Sequence, residues 1–533
     1  MLKVTKHLIF YVGSDDADKK ILCQKETEMK KRLISFLLCA VMLFSIAGCA
    51  KSVDTGVSSD AVTDAVTDAP ETLRLPENLK CDGARYTVLT AGNVAYNDFD
   101  FDEDSAGINV VSEAQYRRIV LMEEQYEVKI ESERKQNNSS YGNGPGYQAM
   151  AVAVSSETDT YHLGIIGGYD VAALARNNYL YDLNSLKWVD TTKSWWDQNA
   201  NKDLSIKGLL LFTNGSLTAA YSESTFAFYF NKDLAKTYLS DEQNPYQLVR
   251  DGKWTIDKLA ELSRLVSEDL NGDDIIDYRD RFGIYTWDDS MIGMVEAAGV
   301  KICNVVKDGS VFLTLNSEKT VDMIYAYADI AYDAKHALAY QAEMRAGNLN
   351  TDSLYGSWAE DKALFWASST NNLARIRTLD GDFGILPYPK LSETQERYYS
   401  TIAPYNSQFI CVPLYLKDAE FVGAVTEALA YHGKEIVTPA VYEKTLKGSY
   451  ARDEESYDML DIIFNSYGYD FGLYYRIGGY TKGGYPDMLL NLLRNKSVAF
   501  ASGYQSRVDT AEQELSELNA NFKELIKFWA EQE

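Results

Sequence analysis

The sequence predicts an α/β protein built as two α/β units. Short strand-like runs alternate with amphipathic helical stretches from residue 85, and the same rhythm resumes near residue 282. The chain's 533 residues also exceed what one hydrophobic core organises. Hydrophobic residues at 46% supply material for packed cores, so order is expected over disorder.

Taken in order, Tyr86-Thr87-Val88-Leu89 forms a strand ending at a Gly92-Asn93 loop. A helix follows with Val110, Val111, Ala114, Leu121 and Met122 on one face, then a strand over 126–130. A polar, glycine-rich loop (136–146) leads to another helix and the strand Leu163-Gly164-Ile165-Ile166. The end of that strand, Gly167-Gly168-Tyr169-Asp170, opens a further helix. Such βαβαβ order implies a mostly parallel sheet covered on both faces, with ligands beyond the carboxyl ends of its strands. Asn93, Tyr96, Tyr169 and Asp170 stand at those ends and are expected in a binding site.

Runs 209–213 and 216–221 flank Asn214-Gly215, which predicts a type I′ hairpin. Residues 254–267 read as a helix capped by Thr255, and 282–285, 311–313 and 383–386 as strands of the second unit. Residues 418–431 place Val422, Val425 and Leu429 on one helical face. A last amphipathic helix carries Leu515, Leu518, Phe522, Leu525 and Trp529.

The N-terminal region has the pattern of an export signal over 29–48. Met29-Lys30-Lys31-Arg32 supplies positive charge, residues 33–46 are apolar, and Ala47-Gly48 precede Cys49. The apolar run is short for a bilayer span, which takes about 20 residues. Ile46-Ala47-Gly48-Cys49 resembles the bacterial lipobox, whose cysteine thiol takes a diacylglycerol, so Cys49 is the expected lipidation site. Residues 1–28 read as an extension from a start codon assigned too early, and 49–80 as the lipidated cysteine with a flexible tether rich in Ser, Asp, Thr, Val and Ala.

The net charge of −26 argues against nucleic acid or an anionic lipid surface as a partner. Beyond Cys49 only Cys81, Cys303 and Cys411 remain, scattered, so neither a disulfide scaffold nor a zinc site is expected. No Gly-x-Ser-x-Gly or His-Glu-x-x-His motif occurs, and His162, His336 and His432 stand far apart. Two carboxylates suffice for a glycosidase, however, and 78 acidic residues always offer a pair, so that enzyme class stays open.

Two constellations carry possible chemistry. Asp269, Asn271, Asp273, Asp277 and Asp280 follow the spacing of a calcium loop, with the carbonyl of Ile275 as a further ligand. Asp274 stands where that loop wants glycine, and Asp280 is shorter than the usual glutamate. A structural calcium is the one cofactor the spacing suggests, and none is required. The 38 tyrosines against 20 phenylalanines favour rings with polar edges, which suit sugars. Trp287, beside Asp288 and Asp289, and Trp358 are the tryptophans assigned to a cleft, while Trp366 and Trp529 read as packing.

Several segments resemble extracellular solute-binding proteins of ABC transporters, the class containing maltodextrin-binding proteins. They are the lipobox, Ala114-Gln115-Tyr116-Arg117 with Tyr126-Glu127-Val128-Lys129-Ile130, Tyr229-Phe230-Asn231-Lys232-Asp233-Leu234, and Asp269-Leu270-Asn271-Gly272-Asp273. Gly384-Ile385-Leu386-Pro387-Tyr388-Pro389-Lys390 continues the series. Trp195-Trp196 and Asp251-Gly252-Lys253-Trp254-Thr255 resemble a subgroup of large lipoproteins of Gram-positive gut bacteria. The resemblance implies a two-lobed periplasmic-binding-protein-like fold (type II) joined by crossing hinge strands near 220–224 and 402–407. Lobe I would then hold 81–222 and 405–434, and lobe II 223–404 and 435–533. Tyr221 and Glu223 at the first crossing and Tyr405 at the second would face the ligand. The implied function is delivery of a small polar solute, a carbohydrate above all, to an ABC permease by a monomeric, non-enzymatic lipoprotein on the outer face of the cell membrane. An exported glycoside hydrolase and a surface adhesion lipoprotein are the alternatives.

Overall fold

The computed structural model describes residues 71–92, 110–135, 141–218, 224–306, 308–442 and 453–531. The export signal, Cys49, Asn93, Tyr96, Tyr221 and Glu223 lie outside these described residues. In chain order the strands begin with β1 Arg85–Ala91, β2 Lys129–Lys135, β3 Leu163–Gly167, β4 Phe212–Thr213, β5 Phe226–Asn231, β6 Phe282–Thr286 and β7 Cys303–Val305. They continue with β8 Val311–Leu313, β9 Ala337–Ala339, β10 Ala363–Ser369, β11 Phe383–Leu386, β12 Ser400–Thr401, β13 Gln408–Cys411 and β14 Tyr467–Gly468.

Two five-stranded sheets organise the body. The first has the order β2-β1-β3-β13-β4; β2, β1 and β3 run parallel, and β13 runs antiparallel to β3 and β4. The second has the order β11-β5-β10-β6-β9, with β10, β6 and β9 parallel and β5 antiparallel to both β10 and β11. The chain leaves the first sheet after β4, builds the second, and returns at β13. Its two passages lie side by side: Thr225 bridges Ile402, the Ala403 amide donates to the Ser224 carbonyl at 2.8 Å, and the Ser224 hydroxyl donates to the Asn406 carbonyl at 2.8 Å.

Local chemistry sets most element ends. Thr255 caps helix Ile256–Ser263 by accepting the Lys258 amide, and Asp418 caps Ala419–His432 by accepting that of Phe421. Helix Val508–Ala530 buries Leu515, Leu518, Phe522, Leu525 and Trp529, the stripe the spacing predicts. Helix Val110–Tyr126 runs further than expected and the strand starts later, because Glu127 turns left-handed at φ 53° between them.

Three expectations are corrected. Asn214-Gly215 makes no hairpin turn: β4 is two residues long and pairs with β13, while Gly215 bridges Trp196. A Cβ on Gly215 would stand 2.5 Å from the Trp195 carbonyl oxygen, so this glycine permits a close approach of two backbones. Residues 311–313 do not join the second sheet but pair with β7 as a separate ribbon. Trp358 lies in the core, not in a cleft: it is 0% exposed, with Trp366 and Phe383 each 5.4 Å from its ring.

The tandem tryptophans also have a structural role. Glu427, on the helix that packs against the first sheet, accepts one indole N–H on each oxygen, from Trp195 and Trp196, both at 3.0 Å. Burial pushes its carboxyl up to about 7. The last residues of the sequence's supposed tether are fixed to the same region. Leu75 and Leu79 pack on this core, and Glu71 accepts the Ser194 amide at 3.2 Å.

Candidate functional site

The carboxyl ends of strands in both sheets carry the candidate site. β3 ends in the helix Gly168–Arg176, whose first turn presents Tyr169, and Tyr405 precedes β13 at the same sheet end. From the second sheet, β6 ends in Trp287-Asp288-Asp289 before helix Ser290–Ala297. The rule that ligands sit beyond strand ends therefore applies to both units.

Three rings meet there. Tyr141 lies 5.3 Å from Tyr169 and 6.2 Å from Tyr405, centroid to centroid. Tyr141 is 50% and Tyr405 41% exposed, high values for large rings that a bound molecule could cover. Asp170, expected to touch ligand directly, is buried instead and holds the loop carrying Tyr141. Its Oδ1 accepts the amides of Gly142 at 3.0 Å and Gly144 at 3.1 Å. Tyr480 closes the loop from the other side, its hydroxyl donating to the Gly142 carbonyl at 3.2 Å.

Charged groups frame the rings. The buried Arg476 guanidinium lies 4.8 Å from the Tyr141 ring and 5.5 Å from that of Tyr169, and it donates to Asp487 at 3.4 Å. Asp289 makes no side-chain hydrogen bond at the start of its helix. Burial first, then the neighbouring Asp288, push its carboxyl up to about 7; Arg494 opposes the rise and Asp487 adds to it. Asp289 and Asp487 in turn help burial raise the phenols of Tyr141 and Tyr169. Asp288 is occupied elsewhere, accepting Arg345 at 2.7 Å and Arg494 at 2.6 Å. Trp287 is half-buried; its Nε1–H donates to the Tyr388 hydroxyl at 3.1 Å and its ring meets Phe226 at 5.1 Å.

Of the expected site residues, Tyr169 and Tyr405 come together, and Trp287 stands two residues from Asp289. Tyr141, Arg476, Asp289 and Asp487 were missed. Asp289 could have been found by the strand-end rule applied to β6. Arg476 and Asp487 come from the C-terminal stretch, where no strand end points to them.

The acidic loop is organised by its own hydrogen bonds. Asp274 does adopt the left-handed conformation, at φ 62°. Asp269 accepts the amides of Gly272 and Asp274, Asp273 that of Ile275, and Asp280 those of Leu270 and Asp277. Asn271 accepts the Asp273 amide, and Arg279 donates to Asp273 at 2.9 Å and to Asp277 at 2.7 Å. Among the described residues, no three His, Cys, Asp or Glu side chains gather as a metal ion would need. As folded, the cation on this loop is Arg279.

A family model for bacterial extracellular solute-binding proteins matches residues 121–408. UgpB from Mycobacterium tuberculosis, solved with glycerophosphocholine, is similar with a TM-score of 0.52 at 13% identity, covering 83% of this chain and 99% of that one. The maltose/maltodextrin-binding domain MalE from Bdellovibrio bacteriovorus, bound to maltotriose, gives 0.49 at 14% identity over 81% and 100% of the two chains. An ABC substrate-binding protein from Listeria monocytogenes in complex with cycloalternan gives 0.48 at 13% identity over 84% and 100%. At such identities the likeness to UgpB speaks for the fold, the two-lobed α/β architecture. No curated protein matches the sequence significantly.

Proposed function

The chain belongs to the bacterial extracellular solute-binding proteins, and from that premise we propose that it traps a carbohydrate between its two lobes for delivery to an ABC permease. The observation that carries the carbohydrate reading is the group of three tyrosine rings, two of them open, framed by Asp289, Asp487 and Arg476. Rings cover the C–H faces of a sugar, while carboxylates and a guanidinium take its hydroxyls. Maltotriose and cycloalternan in two of the similar structures agree with this class.

Binding energy goes into closing the lobes. A solute that contacts both sheet ends has more partners in the closed form, and that difference shifts the population toward closure. The paired passages at Thr225–Ile402 are the natural pivot. No bond of the solute is broken in this reading, and lipid on Cys49 holds the protein at the outer face of the membrane.

A screen of mono- and oligosaccharides tests the proposal. The matching sugar should raise the melting temperature, lower the radius of gyration in X-ray scattering, and be recovered unchanged. Tyr405→Ala should weaken its binding about tenfold, roughly 1.4 kcal/mol, with the melting temperature of the free protein kept. Reducing-sugar release would favour a glycoside hydrolase, and partner binding with no response to any small molecule would favour an adhesion protein.

A further inference from the structure

Beside the passage that leads back to the first sheet lies a concavity of about 130 Å³. It shares no residue with the tyrosine cluster. Its walls come from helix Gln198–Leu204, from the end of helix Ser290–Ala297 with the turn to Lys301, and from the β12–β14 pair.

The charge of this lining runs against that of the molecule. The chain has 78 acidic against 52 basic side chains, yet Lys202, Lys301 and Arg397 line the pocket against only Asp203 and Glu296. Asp203 is already neutralised: it pairs with Lys301 at 2.8 Å and accepts the Tyr469 amide at 3.0 Å. Lys202 and Arg397 are exposed and form no ion pair among the described residues.

Glu296 is the buried wall of the pocket. It is 7% exposed, and its Oε1 has no hydrogen-bond partner among the described residues. Burial first and then Asp470 push its carboxyl well above the usual range; Asp203 adds to the rise, and Thr401 and Lys301 oppose it. The phenol of Tyr474 is a further titratable neighbour, and the phenols of Tyr399 and Tyr467 line the same pocket. A neutral Glu296 carboxyl, the form that burial favours, is an O–H donor; the pocket then presents it beside Lys202 and Arg397, whose guanidinium lies 4.7 Å from the Tyr399 ring, with the charge of Asp203 offset by Lys301.

We propose that this pocket binds a small dissolved oxyanion of the size of inorganic phosphate, held by Lys202, Arg397 and Glu296. A volume of about 130 Å³ accommodates a tetrahedral anion. Cations with a fixed donor are the chemistry that recognises phosphate oxygens. Glu296 belongs to the helix that follows β6, and Lys202 to the helix that precedes β4, so the anion touches groups attached to both sheets.

Titration of the full chain with inorganic phosphate at pH 7 and constant ionic strength, by calorimetry and phosphorus NMR, tests the site. One saturable site is expected. Lys202→Met with Arg397→Met should weaken it at least tenfold without changing the melting temperature, and the single variants should fall between. Glu296→Gln keeps an N–H donor and should retain binding at pH 7. Absence of saturable binding, or equal binding by the double variant, overturns the proposal. Vesicles of phosphatidylglycerol carry the same oxyanion; co-sedimentation that the double variant abolishes would overturn the assignment to a dissolved ligand. Sugar binding should be unchanged in these variants, so the two proposals fail separately.

Discussion

Asp289 is the side chain on which solute affinity should depend most visibly. Its carboxyl titrates near 7 because burial and Asp288 outweigh Arg494. A sugar hydroxyl donating to it stabilises the carboxylate, so affinity should rise as pH climbs through about 7. Asp289→Asn, which cannot ionise, should flatten that profile in calorimetric titrations between pH 6 and 8. Ionisation costs the free protein stability: with its folded value above the ordinary 3.8, the contribution of Asp289 is full below pH 3.8 and is lost by about 7. The acidic loop of residues 269–280 already holds a cation in Arg279. Calcium would have to displace Arg279 from Asp273 and Asp277. We propose that it does so: calcium added after chelation should raise the melting temperature, and Asp269→Asn should abolish the rise. An unchanged melting temperature would leave Arg279 as the permanent cation.

Among elements, the Trp195-Trp196 segment depends on one carboxylate. Glu427→Gln leaves an acceptor for only one indole, and the second buried N–H loses its partner, a loss of about 1–3 kcal/mol. The folded value of Glu427, about 7 against an ordinary 4.5, makes its contribution full below pH 4.5 and lost as pH rises to about 7. Chemical denaturation of wild type should therefore show a fall in stability across that window, reduced in Glu427→Gln. The elements that were legible in the sequence are those fixed locally. Helix Val508–Ala530 shows its buried stripe by spacing, and Thr255 and Asp418 announce helix starts. Asn214-Gly215 misleads because its local turn preference loses to pairing with the distant Trp195-Trp196 backbone.

For the whole molecule, the body and the proposed anchor should be separable. Glu71, Leu75 and Leu79 tie the first described segment to the first sheet's core, so the body begins by residue 71, and the tether we propose is confined to the residues before it. Cys49→Ser should move the protein from the membrane fraction to the medium and leave its affinity for sugar unchanged. Equal membrane retention in that variant would remove lipid as the anchor.

By itself the sequence determined the α/β class, the strand ends that carry Tyr169 and Trp287, and the local caps and stripes, because periodicity and hydrogen bonding to near neighbours act within a few residues. The tertiary structure alone decided that Tyr141, Arg476, Asp289 and Asp487 share one site and that Trp358 is core. Tyr141, Asp289 and Arg476 come from well-separated parts of the chain, and only tertiary packing brings their charges and rings within interaction distance.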